Sequence, residues 1–151
     1  MSSTVLLANL VRLVLEGIFE IYSNLTVAFV EGGFGWVSHL MWRMDKDYKV
    51  LSHQAPRLKH LPSEYIKENL KFTTQPIEEP EKLAHLGQII EVMGGDHMLM
   101  YCSDFPHYDY DPPSVFPNAL GNDLLKKFFT RMPYHSFVGL RRIANELGYC
   151  H

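Results

Sequence analysis

Hydrophobic positions along the chain alternate between helical and strand-like spacing. Apolar residues recur at helical spacing from Val5 to Ile21, behind Ser2 and Ser3, which are favourable helix caps. The nearly continuous apolar and β-branched run at 25–30 follows and predicts a central strand of a parallel sheet. Helical spacing returns from about Gly35 to Leu51, so a second long helix is expected there.

Two further strands are predicted, and like the first they stop at polar residues. Residues 70–74 form one short apolar and β-branched run, and residues 98–101 form the other. The polar residues that follow the three predicted strands are Glu31, Thr74-Gln75 and Ser103-Asp104. Because the carboxyl ends of parallel strands share one edge of a sheet, these groups are expected to line up there.

Helices are predicted between and after the strands. The acidic turn at 78–81 is expected to open a helix, since negative charge suits a helix amino terminus, and Gly94-Gly95 is expected to end it. The other predicted helices span about 64–69, 122–131 and 137–147. Strands that alternate with helices predict an α/β fold with a parallel sheet and right-handed crossovers, in a single domain that spans residues 1–151.

Asp104 follows the last predicted strand and has two interpretations. A carboxylate at the carboxyl end of a buried strand stands where α/β barrels and open α/β sheets place their chemistry. Asp beside Pro106 is also the ordinary means of capping a turn. His107, in the same loop, either contacts a substrate or serves as a cap or solvated side chain.

The first strand ends in the segment 31–36, which combines a carboxylate with three glycines and Trp36. The glycines permit tight turning and close approach of a ligand or a neighbouring loop. Their spacing is not GxGxxG and no GK[ST] follows, which argues against a phosphate-binding loop. Glu31 can pair with Arg43 or with a neighbouring loop, and Trp36 can pack at this end of the sheet.

Composition narrows the function classes. The 151 residues are 46% hydrophobic with a formal net charge of −3, which favours one globular core and argues against nucleic acid or anionic membrane as a partner. The apolar start is interrupted by Arg12 and Glu16, so neither a signal peptide nor a membrane span is predicted, and a cytoplasmic protein is expected. Of the two cysteines, Cys102 is interpreted as a small buried hydrophobe, and no HxH or HxxxH metal motif occurs.

Several blocks of the sequence, taken in order, resemble the amidohydrolase-related family of metal-dependent TIM-barrel proteins, which includes decarboxylases. The resemblance covers roughly residues 10–111. The blocks are the segments 17–20, 24–36, 42–48, 62–69, 72–76 and 103–107.

The resemblance implies a partial (β/α) barrel in which the three parallel strands and their helices correspond to the last three strands of eight. It places Asp104 on the family's aspartate, which ligates a divalent metal, zinc or manganese, or takes a proton from metal-bound water. Glu31 stands where other branches carry a histidine that meets substrate or activates water, and the resemblance therefore makes it a candidate general base, with pairing to Arg43 or a neighbouring loop as the alternative. His107 and Trp36 are the candidate substrate contacts that lie beside these two carboxylates.

The family's paired histidines on the first strand and its histidine ligand from the fifth strand have no counterpart in this sequence. A complete barrel needs about 250 residues. We therefore expect the carboxyl-terminal part of a hydrolase or carboxy-lyase that binds metal poorly and is inactive alone, and that acts on a small molecule once an amino-terminal half-barrel completes it. The alternative is a non-catalytic module of the same descent that associates with itself or binds a partner.

Overall fold

The structure is a computed structural model that describes residues 3–108 and residue 110. Its elements are α1 (Ser3–Leu15), α2 (Ile18–Ile21), β1 (Val27–Phe29), α3 (Val37–Leu51), a 3-10 turn (Ser52–Gln54), α4 (Pro62–Asn69), β2 (Leu70–Thr73), α5 (Leu83–Met93), α6 (Gly95–Met98) and β3 (Leu99–Met100). The predicted helices at 122–131 and 137–147, and Cys150, lie outside the described residues. Within the described part of the chain, no helix is long and apolar enough to cross a membrane.

The three strands form one parallel sheet in the order β1-β2-β3. This confirms the α/β fold with three parallel strands and flanking helices. The position of the first strand was predicted wrongly, because β2 is central and β1 pairs only with β2 among the described strands. The predicted run at 25–30 also shortens to Val27–Phe29 as a strand.

The two faces of the sheet differ in how much protein covers them. In register, Val27 pairs with Leu70, and Phe72 pairs with both Phe29 and Leu99, so these side chains share one face. Helices cover that face: apart from Val27, its residues are buried, and Phe29 stacks on Phe72 with ring centroids 5.4 Å apart.

The opposite side, which we call the open face, is formed by the alternate strand residues Ala28, Lys71, Thr73 and Met100. Ala28 is exposed, Lys71 and Met100 are half-buried, and Thr73 is buried. Val30, just past β1, is 49% exposed. One layer of helices therefore packs on the sheet, and the side away from these helices is only partly covered by the described residues.

The helices present apolar stripes to the covered face. From α3 the buried apolar residues are Val37, Leu40, Met41 and Met44, and from α5 they are Leu86, Ile90 and Met93. These positions recur at the three- and four-residue spacing that puts side chains on one side of a helix. The core consequently lies between the sheet and this helical layer.

Two helix boundaries were predicted wrongly. The first helix does not run to Ile21, because Gly17 adopts a left-handed conformation with φ 70° and separates α1 from α2. A Cβ built at Gly17 would lie 2.6 Å from the Cβ of Arg57, so the chain turns where a neighbouring loop packs closely. The helix expected at the acidic turn begins only at Leu83, whereas its predicted end is confirmed by Gly94, a left-handed cap with φ 71°.

A polar cluster ties together the segments that precede β1 and β2. The Tyr65 hydroxyl donates to the Glu20 carboxylate and accepts the backbone N–H groups of Lys59 and His60 at 2.9 and 3.1 Å. The Lys59 ammonium lies 2.7 Å from the other Glu20 oxygen. Nearby, the buried Asn69 amide donates to the carbonyls of Ser23 and Leu25. These bonds fix the amino ends of neighbouring strands, the side of an α/β barrel that serves stability.

Candidate active site

Hydrogen bonds join the carboxyl ends of the three strands. The Glu31 N–H donates to the Thr73 hydroxyl at 3.0 Å, which holds the loop after β1 to the end of β2. On the other side, the Thr74 N–H donates to the Met100 carbonyl at 2.9 Å, and the Cys102 N–H donates to the Thr74 hydroxyl at 3.0 Å. The two outer loops are thus fixed relative to β2. Cys102 itself is half-buried, which corrects its interpretation as a buried hydrophobe.

Asp104 and His107 lie together in the loop after β3. Oδ2 of Asp104 is 2.9 Å from Nδ1 of His107, and the His107 N–H donates to the Asp104 carbonyl at 2.8 Å. The Asp104 side chain is 15% exposed and that of His107 is 66% exposed. The N–H of Phe105 contacts the Ser103 hydroxyl at 3.4 Å. Asp104 is therefore a turn residue, as one of its two interpretations expects, and its carboxylate contacts the imidazole within the same turn.

Glu31 is exposed and does not pair with Arg43. The guanidinium of Arg43 pairs instead with Asp47, one helical turn away in α3, at 2.8 Å. Arg43 as the partner of Glu31 is therefore wrong, because Arg43 finds its carboxylate within its own helix, whereas pairing of Glu31 with a neighbouring loop stays a prediction.

Glu31 and Asp104 share an unusual backbone conformation. Their φ angles are 56° and 58°, and no other non-glycine residue in the described part of the chain has a positive φ. Such backbone conformations in non-glycine residues cost on the order of 1–3 kcal/mol and cluster at functional sites. The two carboxylates that the sequence singled out are thus also the two positions of backbone strain.

Trp36 stabilises the loop that carries Glu31. Its indole N–H donates to the Gly32 carbonyl at 2.9 Å, and its ring meets the Phe72 ring edge-on with centroids 5.9 Å apart. The side chain is half-buried. Trp36 is placed between the glycine loop and the core, and in this position it links the loop conformation to the packing of β2.

Glu78 is a carboxylate that sequence reasoning missed as part of this region. Its Oε1 lies 2.9 Å from the position that a Cβ at Gly33 would occupy, and its Oε2 lies 3.6 Å from the corresponding position at Gly35. Gly33 has a φ of 65°. The signal was present in the glycines, which predicted close approach of a ligand or a neighbouring loop, but the sequence did not identify Glu78 as the approaching group.

The described residues do not form a metal site by themselves. No group of three or more His, Cys, Asp or Glu side chains within this part of the chain is arranged to hold a metal ion. A bound zinc or manganese ion needs several ligands in a fixed geometry, so the described residues do not supply a complete ligand set.

Comparisons with known proteins agree with this architecture. A family model described as Amidohydrolase matches residues 8–129. Among solved structures, the chain is similar to the 5-carboxyvanillate decarboxylase LigW from Sphingomonas paucimobilis, a TIM-barrel amidohydrolase, with 25% sequence identity and a TM-score of 0.53. A search of curated proteins finds no match.

The structural match covers 82% of this chain and 39% of LigW, so the chain spans well under half the length of that enzyme. The family match extends over most of the sequence. The matched structure is a barrel, and the three parallel strands of this chain and their outer helices correspond to part of it. The chain belongs to the Amidohydrolase family.

Proposed function

We propose that this chain is a single-domain carboxyl-terminal part of a metal-dependent hydrolase or carboxy-lyase, inactive until the rest of a barrel is supplied. The family match and the limited coverage of LigW support this proposal. Eight strands are needed to close such a barrel, and three are described in this chain. The partner in this proposal is an amino-terminal half-barrel, and the assembled enzyme is cytoplasmic.

The observation that carries the proposal is a groove along the free edge of β1. The groove has a volume of about 630 Å³ and lies between α1 and the strand. Its lining residues are Leu6, Asn9, Arg12, Leu13, Glu16, Ile18, Val27, Ala28, Phe29 and Val30. A parallel strand placed there continues the sheet beneath α1 and pairs with backbone groups of β1 that have no strand partner among the described residues.

In this proposal Asp104 contributes one carboxylate oxygen to a zinc or manganese site whose remaining ligands belong to the other half. Its low exposure and the fixed contact with His107 suit a carboxylate of defined orientation. Glu31 is the proposed proton acceptor, on the neighbouring loop. His107 and Trp36 are the proposed substrate contacts, and the substrate is a small organic molecule. LigW, for comparison, is a decarboxylase of 5-carboxyvanillate.

Metal content tests the proposal. The chain is purified alone and together with an amino-terminal half-barrel polypeptide of the same family that carries an HxH strand. We expect much less than one zinc or manganese ion per chain in the first sample and close to one in the second. Asp104→Asn is expected to lower the second value, whereas Glu91→Gln, on the exposed side of α5, leaves it unchanged. Stoichiometric metal in the lone chain contradicts the proposal.

A second candidate is a non-catalytic module that associates with itself or binds a partner. It is favoured by an apolar groove of about 290 Å³ between α3 and α5, lined by Gly35, Ser38, His39, Trp42, His85, Gln88, Ile89 and Val92. Trp42 and Val92 are 60% and 48% exposed at this groove. Light scattering tests self-association, and a monomer over a wide concentration range argues against it.

A further inference from the structure

Lys71 is the charged residue of the open face. The other strand residues on this face are Ala28, Thr73 and Met100, and Val30 follows at the end of β1. Lys71 pairs in register with Ala28, the exposed member of the set, on the strand that forms the edge of the sheet. Its ammonium group therefore belongs to the surface that the described part of the chain covers least.

Among the residues that the structure describes, Lys71 has one acceptor and no carboxylate partner. Nζ donates to the His97 carbonyl at 2.8 Å. The side chain is already half-buried, and this burial lowers the pKa of its ammonium group. Further desolvation disfavours the charged form still more, unless a negative group is provided.

Any layer that covers the open face removes water from Lys71. Covering it with apolar side chains alone leaves a buried charge whose one acceptor is a neutral carbonyl, which is unfavourable. A covering layer that brings a carboxylate to Nζ replaces the lost hydration with an ion pair. The same surface therefore accepts one kind of partner and rejects another, which is how charged groups give specificity at interfaces.

We propose that Lys71 selects the partner of the open face, disfavouring a second copy of this chain and favouring a strand layer that places a carboxylate beside Nζ. This inference rests on the proposed barrel completion and specifies the chemistry of the other half. A second copy is a poor partner because the four described strand residues of its open face include the same lysine and no acidic residue. Inward-pointing charges of this kind are a known device against unwanted sheet association.

Sedimentation velocity over a concentration series tests the first half of the proposal. The wild-type chain is expected to remain monomeric, whereas Lys71→Met is expected to self-associate at least tenfold more tightly. Lys67→Met is the matched control, since Lys67 is exposed on α4 and its loss uncovers no part of the open face. Circular dichroism verifies that all variants are folded. A monomeric Lys71→Met, or a wild-type chain that associates equally well, overturns the proposal.

Mixing two variants tests the preference for a carboxylate. Lys71→Glu is expected to be monomeric alone, because the copies repel one another, and to associate with the wild-type chain in an equimolar mixture. The expected gain is about tenfold over either protein alone at low salt, and it falls as salt is added because salt screens the attraction. A mixture that associates no better than its components overturns the assignment of a carboxylate partner.

These measurements require neither metal nor turnover, so their outcome is separable from that of the proposed function. A negative result on Lys71 refutes its role at the open face and leaves the proposed metal site untouched. Failure of the completed barrel to bind metal refutes the proposed metal site, but it does not change the conclusion drawn from self-association of the Lys71 variants.

Discussion

The backbone N–H of Glu31 donates to the hydroxyl of Thr73 at 3.0 Å, so a loop residue after β1 is held by a side chain of β2. Thr73 is buried at 7% exposure, and its hydroxyl in turn donates to the Gln75 carbonyl at 3.3 Å. A single hydroxyl thereby sets the position of the Glu31 backbone relative to the sheet.

Thr73→Val removes this hydroxyl while keeping the shape of the side chain. We expect a loss of about 1–2 kcal/mol in the free energy of unfolding, because the Glu31 N–H loses its partner in a partly buried position. Urea denaturation measures the change. Thr73→Ser retains the hydroxyl and serves as the control, so an equal loss in both variants contradicts the role given to the hydrogen bond.

Tyr65→Phe tests the cluster that ties the segments preceding β1 and β2. Two backbone N–H groups, those of Lys59 and His60, lose their acceptor, and we expect a loss of about 2–3 kcal/mol in stability. The control is Tyr48→Phe, which removes a single bond to the Leu58 carbonyl and is expected to cost about 1 kcal/mol. The prediction fails if the Tyr48 variant is destabilised as much as the Tyr65 variant.

The pKa of Glu20 is lowered from its ordinary value by the hydrogen bond from Lys59 and then by that from Tyr65. A carboxyl group with a depressed folded-state pKa contributes stability above its unfolded pKa of about 4.5, and this contribution is lost as the pH falls through the folded-state pKa. Wild type is therefore expected to exceed Glu20→Gln in stability at pH 7, with the difference shrinking below pH 4.5. A difference that stays constant down to pH 3 contradicts this linkage.

Gly33→Ala and Gly94→Ala form a matched pair. Both glycines have left-handed φ angles, 65° and 71°, so both substitutions are expected to cost about 1 kcal/mol from backbone strain alone. A Cβ at Gly33 also comes within 2.9 Å of the Glu78 carboxylate, whereas a Cβ at Gly94 meets nothing within 4 Å. The Glu78 carboxylate is the far end of an exposed side chain and can move away, so both variants should lose similar stability in thermal or urea unfolding. A much larger loss in Gly33→Ala that Glu78→Ala removes contradicts this expectation.

The strands were predictable because their apolar runs are continuous and end at polar residues. The run at 25–30 also led to an error that has a physical reason. Its composition is that of a strand buried on both faces, yet Ala28 and Val30 are exposed in the described part of the chain. The composition of this run therefore predicts more burial than the described residues give it. This difference is consistent with a sheet that continues beyond β1.

Contacts between distant segments were not predictable from local pattern. Tyr65 and Glu20 are 45 residues apart, and nothing in either neighbourhood indicates the other. The break at Gly17 depends likewise on Arg57, which packs against it from another loop. At the candidate site, the sequence indicated Asp104 and His107 in one loop, but the contact between the Asp104 carboxylate and the His107 imidazole depended on side-chain geometry.

The hydrogen bond from Trp36 to Gly32 has a consequence for spectroscopy. Of the two tryptophans in the chain, Trp36 is half-buried against the loop that carries Glu31, and Trp42 is 60% exposed at the groove between α3 and α5. Replacing either indole by phenylalanine leaves a single tryptophan, whose emission is selected from that of the tyrosines by excitation at the red edge of the indole absorption. The two resulting proteins carry intrinsic fluorescent reporters, one for movement of the loop at the candidate site and one for occupancy of the outer groove.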